Sequence, residues 1–378
     1  MIKKILFVFI CFLSLQTQAQ QVPYSQQMAL TAMHLWPDSF SMGGRPARWS
    51  YDQGVILKGI EGIWQATGDA KWFKYIEHSM DHYVRPDGSI KDYDQAHYNI
   101  DHINNGKALL TIYRVTGKEK YKKAVELLRK QLLTHPRTKE GGFWHKQIYP
   151  WQMWLDGLYM GQPFYAEYAQ VFGEDTIFDD VAKQFVLMEK HSRDPKTGLL
   201  YHGYDESREQ QWADKKTGKS PHFWARALGW YGVAMVDALD YFPENHPGRQ
   251  QIINILKRFA VAIVKVQDAK TGMWYDIVDL PNRQPNYLES SATAMLSYTL
   301  AKGARKGYIA QSYATSAKRA FDGLVKNKLT TGADGFTNLE GTVSVSGLGG
   351  KPYRDGSFEY YMSEKVVQND PKGVGAFI

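Results

Sequence analysis

One carboxylate, Asp156, stands in a strongly aromatic stretch of the chain. Residues 144–161 read WHKQIYPWQMWLDGLYMG, and five of them are tryptophan or tyrosine. A carboxylate is costly to bury without partners, so this stretch is a solvent-exposed loop, an ion-paired structural acid or a catalytic site. In the catalytic case, the exclusion of water raises the pKa of the acid toward neutrality, which suits a group that gives and takes protons.

A second acid, Asp101, lies in NIDHINNG at the start of another helix-like segment. Two carboxylates across a sugar-sized pocket are the usual equipment of a glycoside hydrolase, with one as acid and the other as base or nucleophile. Each acid alone is also explained as a helix cap, because free backbone N–H groups and the helix dipole stabilise a carboxylate there. Catalysis is favoured if both acids face one cavity together with basic side chains.

The other candidate residues are aromatic or charged side chains near the starts of helix-like segments. They are Tyr51, Asp52, His102, His145, Lys146, His202, Trp224, Arg226, Trp230 and Glu289. Arg226 is flanked by Trp224 and Trp230 and is suited to a planar anion such as a uronate carboxylate, since a guanidinium binds it in bidentate fashion. The alternative for Arg226 is a structural salt bridge.

The elements that must position these residues recur in a unit of about 50 to 70 residues. Each unit has an apolar helix-like run, a turn containing glycine, an amphipathic helix and a glycine-bearing hairpin signal. Gly68, Gly117 and Gly173 are predicted helix C-caps in the inter-helix turns. The hairpin signals are RPDGSI, TKEGGFW, DPKTGLLY, DAKTGMWY and TGADGF.

Six helix pairs can be placed along the chain. Their first helices are predicted near residues 51–66, 101–115, 156–172, 224–241, 289–305 and 358–368. These first helices lack a charged face, as expected of a helix surrounded by others, whereas the second helices carry a charged solvent face. The pattern predicts an all-α (α/α)6 toroid with short β-hairpin loops at its pocket end, where the candidate residues would converge. An open superhelix of helix pairs is the alternative.

The first residues have the layout of a secretory signal peptide, with Lys3 and Lys4 before an apolar run over residues 5–15. That run is too short to span a bilayer. We therefore expect a signal peptide over residues 1–19, a single toroidal catalytic domain over residues 20–378, and export to the periplasm.

Composition adds few constraints on partners. The only cysteine lies within the predicted signal peptide, so no disulfide and no thiolate metal site are expected. The net charge of +7 comes without clustered Lys and Arg, which argues against nucleic acid. His78 and His82 have the spacing of a metal pair but lack a third ligand. The run SGLGGK fits a turn better than a phosphate loop. No metal or cofactor is expected.

Five segments resemble glycoside hydrolase family 105, the unsaturated rhamnogalacturonyl hydrolases, which are similar in fold and chemistry to the unsaturated glucuronyl hydrolases. They are YDQGVILKGI, DHINNGKALL, WLDGLYMGQPFYAEYA, HFWARALGWYGVAMVDAL and YLESSATAMLSYTLAKGARKGYI. The resemblance runs from about residue 45 to the C-terminal NDPKGVGAFI. One departure is Ala227-Leu228, where many relatives carry Gly-Asn, and it is expected to reshape the subsite below the uronate.

The resemblance implies hydration of a double bond rather than ordinary glycoside hydrolysis. The expected substrate is an oligosaccharide, left by a lyase acting on rhamnogalacturonan, whose non-reducing end is a 4,5-unsaturated uronic acid. A general acid protonates C4, water activated by a carboxylate adds at C5, and the resulting hemiketal opens and releases the aglycone. By position in WLDG, Asp156 resembles the family's principal acid/base, and Asp101 resembles its partner carboxylate.

The same resemblance implies a set of residues that contact the unsaturated sugar. They are Tyr51, His145, Lys146, His202, Trp224, Arg226 and Trp230. Within this set, Arg226 and Lys146 are expected at the uronate carboxylate, and Trp224 or Trp230 is expected to offer a stacking face.

Two other classes of protein stay open. A toroidal polysaccharide lyase would need a Tyr or Lys base beside a uronate clamp and would act on intact polymer. A non-catalytic helical-repeat protein would bind glycans without turnover, and Asp101 and Asp156 would be replaceable. The expected partner is an unsaturated uronic-acid oligosaccharide, without nucleic acid and without a membrane after signal cleavage. The sequence does not distinguish a monomer from a dimer.

Overall fold

Helices dominate the part of the chain that the computed structural model describes, residues 22–41 and 46–378. They are α1 (Tyr24–Leu35), α2 (Tyr51–Thr67), α3 (Ala70–Asp81), α4 (Gly106–Thr116), α5 (Glu119–Thr134), α6 (Leu155–Phe172), α7 (Ile177–Ser192), α8 (Ala225–Ala238), α9 (Pro247–Lys265), α10 (Ser290–Arg305), α11 (Tyr313–Lys328), α12 (Phe358–Ser363) and α13 (Pro371–Phe377). Two 3-10 turns, Gln95–His97 and Ile100–Ile103, precede α4. The predicted signal peptide lies outside the described residues.

Six inner helices of the described chain form a closed ring. In order around the ring, α2, α4, α6, α8, α10 and α13 each pack on the next, and α13 packs back on α2. The outer helices α3, α5, α7, α9 and α11 each pack on the inner helix that precedes them, and α1 packs on α13. The predicted (α/α)6 toroid is therefore confirmed, and the open superhelix is ruled out.

The sixth inner helix differs from its predicted position at residues 358–368. The helix that starts there, α12, ends at Ser363, and α13 takes the inner position instead. Asp370 accepts a hydrogen bond from the Lys372 N–H, and Pro371 occupies the first turn of α13. Because an aspartate cap followed by proline is a strong start signal, the helix begins there rather than earlier. Its outer partner comes from the other end of the chain.

Burial explains why the inner helices carry no charged face. Every residue of α8 is buried, whereas the outer helix α5 buries one side only. Gly68, Gly117 and Gly173 cap inner helices in the left-handed region, with φ of 68°, 65° and 71°. These predicted caps are confirmed, and glycine suits them because it adopts positive φ without strain.

Short strands join the loops that follow the outer helices. They are β1 (Gln152–Trp154), β2 (Gly203–Asp205), β3 (Leu329–Thr331), β4 (Thr337–Leu339), β5 (Thr342–Val343) and β6 (Val366–Val367). The predicted hairpins in RPDGSI, TKEGGFW, DPKTGLLY and TGADGF each form an antiparallel pair. In addition β1 pairs with β2, which joins the loop before α6 to the loop before α8.

Closure of the ring predicts a strong effect of a methyl group at Gly375 in α13. A Cβ atom there would lie 2.7 Å from the backbone carbonyl of Val55 in α2. We expect Gly375→Ala to lower the free energy of unfolding by about 1–3 kcal/mol, the usual cost of overpacking. The measurement is thermal unfolding.

The matched control is Gly62→Ala in α2, where a Cβ would meet nothing within 4 Å. Alanine is the better helix former by about 0.8–1.0 kcal/mol, so this variant should unfold at the same or a higher temperature. Equal unfolding temperatures for Gly375→Ala and the wild type would contradict the close contact that joins α13 to α2.

Candidate active site

Asp156 lies in the first turn of α6, directly after strand β1. Its Oδ1 atom is 3.6 Å from Nε2 of His202, and 14% of its side chain is exposed. The Leu155 N–H donates a 3.0 Å hydrogen bond to the carbonyl of His202, so the two segments are joined at this point. The predicted position of Asp156 at the start of an inner helix is confirmed.

Asp101 lies in the 3-10 turn that precedes α4. Its N–H donates to the side-chain oxygen of Asn99 at 3.0 Å. Its carboxylate pairs with Lys146 Nζ at 2.6 Å and faces His145 Nε2 at 3.4 Å, with 10% of its side chain exposed. This acid therefore has a cationic partner and keeps a small solvent-accessible surface.

Both acids, Asp101 and Asp156, act electrostatically on the imidazole of His145, and burial lowers the pKa of this ring. Trp154 stacks on it with ring centres 4.3 Å apart at 18°, and Tyr149 stacks on Trp154 at 4.9 Å. A column of three rings thus fixes the imidazole that faces Asp101.

The pKa of Asp156 moves in the opposite direction from the one expected for an aromatic surround. Burial raises this pKa, but the ring of His145 and the facing N–H of His202 lower it more, to about 2. The expectation of a raised pKa is therefore wrong for the free protein, because two histidines stand among the aromatic residues. Asp156 is an ionised carboxylate at neutral pH, stabilised by its neighbours.

The two cations expected at a uronate carboxylate are engaged within the protein. Lys146 pairs with Asp101. Arg226 is 1% exposed and donates a hydrogen bond to the carbonyl of Val343, and the charge of Glu289 helps to raise its pKa against the effect of burial. Arg226 is therefore held by a backbone hydrogen bond, and its contact with the uronate stays a prediction.

The two tryptophans expected to offer a stacking face are covered. Trp224 is 2% exposed and Trp230 is 3% exposed. Trp230 stacks on Tyr159 with ring centres 4.5 Å apart, and Tyr51 meets it edge-on at 6.5 Å. The expectation of an open tryptophan face is thus not met in this structure, whereas Tyr51 is only partly buried at the start of α2.

Two of the other candidates, Glu289 and Asp52, form hydrogen bonds within the protein, and a third, His102, has a largely buried ring. Glu289 caps α10 and accepts hydrogen bonds from the N–H groups of Ala292, at 2.6 Å, and Val343, at 3.0 Å. Asp52 accepts from the Ser50 hydroxyl at 2.6 Å. Burial lowers the pKa of His102 to about 4.

The departure Ala227-Leu228 is fully buried in α8, so these side chains act through packing.

Two residues of the site were missed at the level of the sequence. The hydroxyl of Tyr361 lies 2.8 Å from Nδ1 of His202, and Asp276 accepts a 3.0 Å hydrogen bond from Nε1 of Trp224. Burial raises the pKa of Asp276 to about 8. Asp276 lies in the loop before α10, and Tyr361 lies in the short helix α12, so no sequence motif connects either residue to the site.

A cavity lies at the opposite end of the ring from the two acids. It has a volume of about 1040 Å³, and the later halves of the inner helices line it. Tyr159 and Trp230 belong to its lining, so this aromatic pair lies between the cavity and the acids. At the acid end, a small hollow is lined by His145, Trp154 and Gly157.

Two further observations on residues 22–41 and 46–378 concern metal binding and membrane insertion. Over those ranges, no group of three or more His, Cys, Asp or Glu side chains is arranged to hold a metal ion. Over the same ranges, no helix combines the length and apolar character that a bilayer span requires.

A helical ring with two acids at the starts of its inner helices is an architecture that suits a toroidal glycosidase. The model of Glycosyl Hydrolase Family 88 matches residues 24–378. A solved glycoside hydrolase from family 105 of C. acetobutylicum is 47% identical, with a TM-score of 0.89 and coverage of 94% of this chain and 97% of that chain. The chain therefore belongs to the glycoside hydrolases of families 88 and 105, as the sequence motifs indicated.

Two further similarities extend this result. The unsaturated rhamnogalacturonyl hydrolase YesR of Bacillus subtilis is 27% identical over 305 residues, 79% of this chain and 83% of that protein. The unsaturated glucuronyl hydrolase of Bacillus sp. GL1 is 13% identical with a TM-score of 0.67 and coverage of 93% of each chain, which is a likeness in fold.

The low pKa of Asp156 predicts its ionisation state in acid. The folded-state pKa of about 2 lies below the unfolded value of about 4. Ionised Asp156 therefore stabilises the fold above pH 4, and this stabilisation is lost as the pH falls toward 2. We expect the ¹³C signal of the Asp156 carboxyl, assigned by its loss in Asp156→Asn, to show no titration between pH 7 and pH 3. A midpoint near pH 6 would contradict the two-histidine environment.

Proposed function

We propose that this glycoside hydrolase releases the 4,5-unsaturated uronic acid from the non-reducing end of lyase-generated oligosaccharides by hydrating the C4=C5 bond. The observation that carries the proposal is the placement of two nearly buried carboxylates at the starts of neighbouring inner helices, with Asp101 facing His145 at 3.4 Å and Asp156 facing His202 at 3.6 Å. Membership of families 88 and 105 supports the same chemistry.

In the proposed reaction, the bound uronate changes the state of Asp156. The free carboxylate is ionised, but a second negative charge in a site from which water is excluded raises its pKa, so it takes up a proton as the substrate binds. Asp156 then donates this proton to C4. The resulting cation is shared between C5 and the ring oxygen, and the nearby carboxylate of Asp101 stabilises it electrostatically.

Water completes the proposed reaction at C5. The Asp156 carboxylate removes a proton from the water whose oxygen bonds to C5, which regenerates the acid. The hemiketal at C5 then opens to a ketone, and the bond from C1 to the aglycone oxygen breaks. One water is consumed, and Asp156 begins and ends in the same protonation state.

The finer parts of the proposal concern substrate and location. The likeness to YesR supports an unsaturated rhamnogalacturonan oligosaccharide as the substrate. The signal-like first residues support export, and a substrate of two or three sugars suits the periplasm.

The two alternatives have less support. A lyase would need a free Lys or Tyr base, whereas Lys146 is paired with Asp101. A non-catalytic glycan-binding protein would have no need of two nearly buried carboxylates that each face an imidazole. Turnover of intact rhamnogalacturonan would favour the lyase, and binding without turnover would favour the non-catalytic protein.

The proposal predicts a specific loss on substitution of Asp156. The ultraviolet absorbance of the conjugated double bond in lyase-treated rhamnogalacturonan should fall with the wild type. Asp156→Asn should lower kcat by roughly 10²–10⁴-fold, the usual range for a general acid/base, and should leave KM within a few-fold.

The matched control is Asp240→Asn, which also removes one negative charge. Asp240 pairs with Lys302 at 2.6 Å and Lys306 at 3.3 Å at the other end of the ring, so kcat should stay near that of the wild type. A kcat within threefold of the wild type for Asp156→Asn would exclude the proposed role of this acid.

The position of proton addition predicts the fate of solvent deuterium. In D₂O, the released uronic acid should carry one deuterium at C4, because the proton added to C4 comes from an acid that exchanges with solvent. Proton NMR of the product at early times measures which face of C4 carries the deuterium. The proposal predicts a single C4 epimer, whereas attack at C1 would release an enol that takes up deuterium on both faces in solution, so a mixture of both epimers would contradict it.

A further inference from the structure

The segment from residue 344 to residue 363, here called the C-terminal cover, packs on the acid end of the ring. Leu348 packs with Trp154 and Trp212 in a small hydrophobic cluster. Arg354 donates a 2.8 Å hydrogen bond to the hydroxyl of Tyr149, which belongs to the ring column on His145. The SGLGGK run lies in this segment, so its glycines belong to a structure that contacts the ring column on His145.

Tyr361 connects the C-terminal cover to Asp156 through one histidine. Its hydroxyl lies 2.8 Å from Nδ1 of His202, and Nε2 of the same imidazole lies 3.6 Å from Asp156 Oδ1. Both Tyr361 and His202 are fully buried. The imidazole therefore stands in a line between a phenol and a carboxylate.

The phenol of Tyr361 and the carboxylate of Asp156 favour the same tautomer of His202. Burial raises the pKa of Tyr361 well above its usual value, so the phenol keeps its proton. Within the described residues, Nδ1 of His202 is its hydrogen-bond partner, and the phenol therefore donates to the lone pair of Nδ1. When the ring carries one proton, that proton then sits on Nε2 and faces the carboxylate, whereas the other tautomer would place a lone pair there.

Neighbouring rings hold Tyr361 in this position. Trp224 stacks on Tyr361 with ring centres 6.0 Å apart at 28°, and its Nε1 donates to Asp276 at 3.0 Å. Trp224, expected from the sequence to contact the sugar, thus forms the wall behind His202. The hydrogen bond from Leu155 to His202 fixes the backbone next to Asp156.

We infer that Tyr361 is a positioning residue for the proposed hydration. Its hydroxyl fixes His202 in the Nε2–H tautomer, so that an N–H points at the Asp156 carboxylate as this acid gives and takes its proton. The inference rests on the proposed function for its effect on the rate, but the tautomer of His202 can be observed without any substrate.

The first test reads the tautomer directly. In protein labelled with ¹⁵N at histidine, the two ring nitrogens of His202, assigned by their loss in His202→Gln, should show a protonated Nε2 and an unprotonated Nδ1 at neutral pH. In Tyr361→Phe, the donor to Nδ1 is absent, so the Nδ1–H tautomer should gain population. A wild-type ring protonated at Nδ1 would overturn the inference.

The second test measures the rate on lyase-treated rhamnogalacturonan. Tyr361→Phe should lower kcat by roughly 10–100-fold, by analogy with the loss of hydrogen bonds that orient metal-bound histidines, and should leave KM within about twofold. An unchanged kcat together with an unchanged tautomer would overturn the inference.

The matched control is Tyr231→Phe, which deletes an equally buried hydroxyl that donates to the Phe185 carbonyl at 3.1 Å. It should leave both kcat and the His202 tautomer as in the wild type. An equal loss of rate in both variants would assign the effect to packing and overturn the inference. If the wild type shows no turnover, the proposed function fails, while the tautomer still decides the role of Tyr361.

Discussion

The arrangement at the acid end depends on one electrostatic constraint, which is that two nearly buried carboxylates need partners. Asp101 meets Lys146 and His145, and Asp156 faces His202 while the charge of His145 also acts on it. Each acid stands at the start of a helical element, where backbone N–H groups favour a negative charge. The imidazole of His145 faces Asp101 and lies beside Gly157, the residue after Asp156, and the column of Tyr149 and Trp154 keeps it in place.

Closure of the helical ring is what brings these residues to one end. The last helix pair is built from both ends of the described chain, with α13 as the inner and α1 as the outer helix. Glycines allow α13 to approach α2, since a Cβ at Gly375 or at Gly59 would lie less than 3 Å from the facing helix or chain end. The chain just before α13 also supplies the C-terminal cover and Tyr361. The C-terminal part of the chain, residues 344–377, therefore both closes the ring and supports the site.

The sequence predicted what depends on local pattern and on chain order. Helical periodicity and the caps at Gly68, Gly117 and Gly173 indicated the repeat, and the WLDG stretch already placed His145 and Lys146 near Asp156. It could not predict what depends on partners from distant loops. The pKa of Asp156 falls because His202 reaches it from another segment, and Arg226 is satisfied by a carbonyl at Val343. Trp224 and Trp230 carry the right chemistry for stacking on sugars, but their burial follows from the neighbours Tyr361 and Tyr159.

The large cavity at the opposite end offers the sharpest alternative location for a ligand, because Tyr159 and Trp230 separate it from the acids. A crystal structure of Asp156→Asn with an unsaturated disaccharide obtained by lyase digestion would decide between the two ends. The account predicts the C4=C5 bond next to residue 156, with Asp101 on the same sugar ring. A disaccharide bound in the opposite cavity, with the acid end empty, would contradict it.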